Sequence, residues 1–284
     1  MTNPTLIWWA LLSAVALLNL VMWGIAARLF WRRNGALAPA VRATRQWLLW
    51  LAAVYVLGCA FRSFLPMVDA PRICLYETEL SRIVIGRSVA TVAELCFAAQ
   101  FALLLGEASR ATSQRLVAYI GRSVLPLIVV AEVFSWSAVL TRNYLLHAIE
   151  NSLWMLAAFV TVAAFTSVRS AFDERARSFL AAVVLFGAGY IGFMVVIDVP
   201  MYLSRWQASM AAGKAPLSAL AGIQEIVASC RVVRDWAVWR EEVPWLSLYF
   251  STAVWASIFL SHAPPLVAPA PVGAGSGVGP EPGR

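Results

Sequence analysis

Seven apolar stretches, each close to the roughly 20 residues that a helix needs to cross a bilayer core, constrain this chain more than any other feature. They are Leu6–Leu29, Trp47–Leu65, Ile83–Leu105, Leu116–Leu140, Leu145–Val168, Phe179–Val199 and Trp245–Ser261. Of the 284 residues, 61% are hydrophobic and 13% charged. A water-soluble core stops growing near roughly 250–300 residues and could not hide that much apolar surface. Soluble enzymes and disordered chains are therefore excluded. So is nucleic acid as a partner, because the arginines flank apolar segments and form no patch interleaved with aromatics. The expected fold is all-α: a polytopic membrane protein, a bundle of seven transmembrane helices spanning residues 1–262.

The first stretch has no basic residue before Leu6 and is too long for a cleavable signal peptide, so it reads as a signal anchor. The connection after it holds Arg28, Arg32, Arg33, Arg42 and Arg45. The positive-inside rule places that connection in the cytoplasm, with the N-terminus outside and the C-terminus inside a cell membrane. Arg110, Arg115, Arg169, Arg175 and Arg177 fall on the same inner side. Arg72, Arg82, Arg142, Arg205, Arg231, Arg234 and Arg240 count against it.

The longest connection runs from Pro200 to Pro244. Leu217, Leu220, Ile223, Val227, Cys230 and Val233 recur there at three- and four-residue steps. That spacing predicts an outer amphipathic helix entered at Pro216, lying on the membrane or folding over the bundle. Residues 263–284, rich in Pro, Gly and Ala, are expected to be a disordered cytoplasmic tail.

Cys59 and Cys96 fall inside spans and read as small buried hydrophobes. Cys74 and Cys230 both lie on the expected outer, oxidising side, so a Cys74–Cys230 disulfide is expected there. The chain's one lysine, Lys214, sits in a polar Gly-Lys-Ala-Pro stretch rather than inside a span, which argues against a retinal Schiff base. Gly187-Ala-Gly189-Tyr-Ile-Gly192 has dinucleotide-fingerprint spacing but lies within an apolar span, where small residues let a neighbouring helix approach. His147 and His262 belong to opposite membrane faces, too far apart to ligate one haem. Two glutamates with a single His-x-x-Glu in reversed order fall short of a di-metal carboxylate site. No metal is assigned, and the residues name no cofactor.

Ionisable residues inside the spans carry the functional signal, because hydrocarbon makes them costly. Arg62 sits near the outer end of span two. Arg87, Thr91 and Glu94 share one face of span three at i, i+4 and i+7. Glu132 follows Pro126 in span four, and that proline is expected to kink the helix. Asn143, His147 and Glu150 lead into span five with Asn151 beside them, and Asp198 precedes Pro200. At 1.5 Å per residue, Glu132 lies about 12 Å and Glu94 about 17 Å below the outer ends of their helices. These groups predict one charged cavity in the outer half of the bilayer.

Three functions fit that pattern. The first is binding of a membrane lipid or a small polar or anionic ligand held by Arg62, Arg87, Asn143, Glu150 and Asp198. Acid–base chemistry by Glu132, His147 or Glu94 is its possible extension. The second is a proton-coupled transporter or channel using Glu94 and Glu132. The third is a non-catalytic subunit or sensor with a partner membrane protein, in which Arg87 with Glu94, or Arg62 with Glu132, are structural ion pairs.

Overall fold

The computed structural model describes residues 3–33, 35, 37–228 and 230–267. The long helices are α1 (Pro4–Arg33), α2 (Pro39–Phe64), α3 (Ile83–Thr112), α4 (Arg115–Thr141), α5 (Tyr144–Val168) and α6 (Glu174–Ala211). The short helices α7 (Ala219–Val227) and α8 (Trp236–Trp239) precede the last long one, α9 (Val243–Ser261). All seven long helices have the length and hydropathy to cross a membrane.

Local chemistry sets several boundaries. Asn143 caps α5 by accepting the Leu145 N–H at 3.0 Å, and Asp173 caps α6 by accepting the Ala176 N–H at 2.8 Å. α4 continues as helix through Pro126. α6 runs past Pro200, where the sequence suggested that the sixth span ends. Its Met194–Asp198 segment widens into a π-turn, and Pro200 then occupies the first turn of the continuing helix, where a missing N–H costs least.

Helices adjacent in sequence pack side by side from α1 to α6, and α9 lies against α2, α1 and α3. A Cβ added at Gly58 would stand 2.9 Å from the Ala93 Cβ, which shows how closely α2 and α3 approach. Gln100 of α3 donates to the Leu48 and Ser257 carbonyls and so ties α2 and α9 together.

One end of the bundle is the disulfide end. There β1 (Met67–Val68) pairs antiparallel with β2 (Ile73–Cys74), which pairs parallel with β3 (Arg231–Val232). Cys74 and Cys230 are joined, with their Cα atoms 5.8 Å apart. The expected amphipathic helix is therefore shorter than its periodicity suggested: it ends at Val227, and the chain enters β3. Ser218, not Pro216, caps it. Its packing face is also different. Gly222 and Ile226 are buried against the bundle, while Leu220, Ile223 and Val227 are exposed. A Cβ at Gly222 would collide with the Leu140 carbonyl of α4, so close backbone approach determines which face turns inward. Glu225 pairs with Arg72 and with Arg142, the latter at 2.8 Å. Arg72 also donates to the Val139 and Leu140 carbonyls that end α4. Trp239 is fully buried against Trp8.

The opposite, arginine end carries a buried ion pair that charge counting missed. Arg45 bonds Glu107 through both terminal nitrogens at 2.6 and 2.8 Å and also donates to the Ala263 and Pro264 carbonyls. The Leu266 N–H donates to Glu107 at 2.9 Å. Packed structure thus continues beyond position 262, and Leu266 is buried; positions 268–284 of the expected tail lie outside the described residues.

Candidate functional site

A cavity of about 400 Å³ lies among α2, α3, α5, α6 and α9. That volume is in the range of small-molecule sites. α5 lines it along one face. His147, Glu150 and Asn151 come first, then Trp154, Ala157, Ala158, Thr161 and Val162. The polar groups lie towards the disulfide end and the apolar ones towards the arginine end. α6 repeats the gradient in reverse, from Val183 and Phe186 through Tyr190 and Phe193 to Asp198.

The polar end is organised around Arg87. Its Nη2 donates to Glu94 at 2.9 Å and to Glu132 at 2.6 Å, and lies 3.7 Å from Glu150. Its Nη1 lies 3.8 Å from Asp69. Glu132 also accepts from the Thr91 hydroxyl at 2.6 Å, and that hydroxyl accepts from the Trp136 indole at 3.0 Å. Arg62 donates to the Met67 carbonyl at 3.1 Å and to Asp69 at 3.3 Å. The Tyr249 hydroxyl of α9 donates to Glu94 at 2.9 Å. His147 Nδ1 and Glu150 are 2.8 Å apart, and Asn151 donates to Asp198 at 2.5 Å.

Of the expected residues, Arg62, Arg87, Glu94, His147, Glu150 and Asp198 line this one cavity. Glu132 stands behind it, in contact with Arg87 but outside the wall, and Trp136 stands with it. Asn143 is the α5 cap and is not in the wall. Of the two ion pairs suggested by sequence, Arg87–Glu94 forms, whereas Arg62 takes Asp69 and Glu132 goes to Arg87. Three groups were missed. Asp69 lies in the short connection after α2, and Tyr249 lies in a span without charges. Arg205, paired with Glu242 at 2.8 Å, lies on the part of α6 beyond Pro200.

No protein-family model, curated protein or solved structure matches the chain. Its chemistry is therefore read from the site itself.

Carboxylate oxygens of Glu94, Glu132 and Glu150 lie within 4.8 Å of one another, close enough to share a cation. Nη2 of Arg87 approaches all three, so the guanidinium already supplies positive charge at that point. The cluster cannot pass a proton through Arg87, which does not deprotonate in proteins, or through the Trp136 indole, which is a donor only. Proton exchange between Glu94 and Glu132 would have to be direct. The His147–Glu150 contact is a different device. A carboxylate on Nδ1 orients the ring and leaves Nε2 as the group able to exchange a proton with a bound molecule.

Two π-turns flank the cavity, Met194–Asp198 on α6 and Tyr249–Ala253 on α9, and each contributes residues to its wall. Such turns are uncommon and occur frequently at functional sites. Gly187 of the glycine-spaced stretch meets Val162 of α5, whereas Gly189 and Gly192 face open space and so do not seat a neighbouring helix.

Proposed function

We propose that this chain is an integral membrane protein that binds a membrane lipid or another small ligand in the cavity at the polar end of its bundle. Insertion is supported by the large apolar side chains left exposed along the helices, such as Leu11, Val21, Leu185 and Val196; a water-soluble monomer rarely shows such surfaces. The disulfide end faces the outside of a cell membrane and the arginine end the cytoplasm. The Cys74–Cys230 bond supports that orientation, because disulfides persist in oxidising compartments. Among the arginines that counted against it, Arg72, Arg82, Arg142 and Arg205 have carboxylate partners. The exposed stripe of Leu220, Ile223 and Val227 gives α7 an apolar face to rest on the outer bilayer surface.

The observation that carries the binding function is the cavity wall, which passes from charged to apolar along single faces of α5 and α6. A proton-coupled transporter would have to pass protons directly between Glu94 and Glu132, because Arg87, which bonds both, does not deprotonate. A purely structural role leaves the cavity and its paired π-turns without a purpose. If chemistry accompanies binding, His147 is the group placed to exchange a proton, with Glu150 orienting it.

Native mass spectra of gently solubilised wild type and Gly189→Phe test this function. Gly189 is exposed on the wall of the cavity and a Cβ there meets nothing within 4 Å, so a phenyl ring at that position narrows the opening between α6 and α9 without displacing the charge network. A bound mass in the wild type that disappears in the variant is expected. Identical spectra for the two proteins would remove the cavity as a ligand site.

A further inference from the structure

The wall's charge and shape select a ligand class, a reading that rests on the cavity being a ligand site. Each arginine lining it has a carboxylate partner: Arg62 has Asp69, Arg87 has Glu94 and Glu132, and Arg205 has Glu242. Asp198, 5% exposed, is held among the described residues by the neutral amide of Asn151. Glu150 shares Arg87 at 3.7 Å and otherwise contacts His147. Six buried carboxylates, with Asp69, Glu94, Glu150 and Asp198 in the wall and Glu132 and Glu242 behind it, therefore meet three guanidinium groups. These are Arg62, Arg87 and Arg205, the last of which also reaches the exposed Glu241. A buried carboxylate must be protonated or paired with a cation, so this wall attracts positive charge. Each arginine that an anionic headgroup would need is already paired with a carboxylate, with the Nε of Arg62 and of Arg87 left without a hydrogen-bond partner among the described residues.

Two tyrosines share α6 with the under-paired carboxylate. Tyr190 and Tyr202 line the cavity with Asp198 on the same helix; the His147 ring lies 5.0 Å from that of Tyr202, and the Arg205 guanidinium already sits over the Tyr202 ring, 5.9 Å from its centre. Aromatic faces beside a carboxylate favour an ammonium group, including a quaternary one.

The remainder of the cavity is apolar and elongated. His147 to Val162 along α5 spans about 22 Å at 1.5 Å per residue. The side between α6 and α9 is closed towards the arginine end by Phe179 stacked on Phe259, with ring centres 4.8 Å apart. Beyond that contact, the facing residues of α6 and α9, including Phe186, Tyr190, Leu248 and Thr252, line the cavity itself. An apolar chain can thus lie between two helices that the bilayer also contacts.

We infer that the cavity takes a cationic amphiphile, an amine or quaternary ammonium headgroup at Asp198 with an apolar chain lying between α6 and α9. Binding to the purified full chain is read by quenching of tryptophan fluorescence and by competition, with four probes: dodecyltrimethylammonium, dodecylamine, dodecyl phosphate and tetramethylammonium. The two cationic amphiphiles are expected to bind, and Gly189→Phe to abolish that binding. Asp198→Asn is expected to weaken it roughly ten- to a hundredfold, the range for losing one charged hydrogen-bonding partner. Tetramethylammonium binding as tightly as dodecyltrimethylammonium would overturn the amphiphile. Dodecyl phosphate binding more tightly, with Gly189→Phe still abolishing it, would overturn the cationic class while leaving the cavity as a ligand site. If no probe responds to Gly189→Phe, the ligand site itself fails.

Discussion

Arg87→Gln gives the sharpest prediction about the charge network. The Arg87 side chain is 6% exposed, and its Nη2 lies 2.6 Å from Glu132 and 2.9 Å from Glu94. At an effective dielectric constant of about 20, one pair of unit charges about 4 Å apart gains about 4 kcal/mol before desolvation. Desolvation offsets much of that gain in the native protein, but removing one partner leaves the others buried without it. The expected net cost is about 3–5 kcal/mol. Glutamine retains an amide donor, so the loss reports mainly the charge. Adding Glu132→Gln removes one stranded carboxylate and is expected to return about 1–3 kcal/mol, the coupling energy of directly bonded groups. Unfolding in mixed micelles of increasing dodecyl sulfate, followed by tryptophan fluorescence, measures all four corners of the cycle. A single-variant cost below about 1 kcal/mol, or a double variant falling by the sum of the singles, would refute a coupled network centred on Arg87.

Other perturbations test other parts of the molecule. Gly222→Ala drives a methyl group into the Leu140 carbonyl, so α7 should loosen at a cost of about 1–3 kcal/mol. Limited digestion by a lysine-specific protease reads this directly, because Lys214 is the single lysine; an unchanged cleavage rate would contradict the tight packing. Reducing the Cys74–Cys230 bond, which closes a separation of 156 residues, should destabilise the protein by about 2–4 kcal/mol. Finding both thiols free to alkylate in protein taken unreduced from the membrane would show that the bond is not native. Arg45→Gln should expose the Leu266 amide to hydrogen exchange by releasing the segment after α9, and equal protection in wild type and variant would show that Glu107 alone holds it.

The seven long helices were legible because roughly twenty apolar residues in a row have few other fates. The shared face of Arg87, Thr91 and Glu94 was legible from helical spacing alone. Partner choice was not. Asp69 reaches Arg62 and Arg87 from a connection whose path depends on the β1–β2 pairing, and no helical period encodes that. Tyr249 joins Glu94 because α9 packs beside α2 and α3, a long-range contact without local signal. Pro200 looked like the end of a helix because the π-turn that accommodates it has no distinct composition. α7 turned its leucine stripe outward because Gly222 offered a closer fit to α4 than larger side chains could. Arg45 resembled its exposed neighbours in sequence, and only its distance to Glu107 distinguishes it.

The proposed ligand lies between α6 and α9 with its polar end at Asp198. Electron cryomicroscopy of the protein extracted directly into lipid nanodiscs, with a bound antibody fragment for alignment, tests this most directly. Elongated density running from Asp198 past Trp154 between α6 and α9 is the expected result. Those two helices packed against each other along their length, with no space between them, would contradict it.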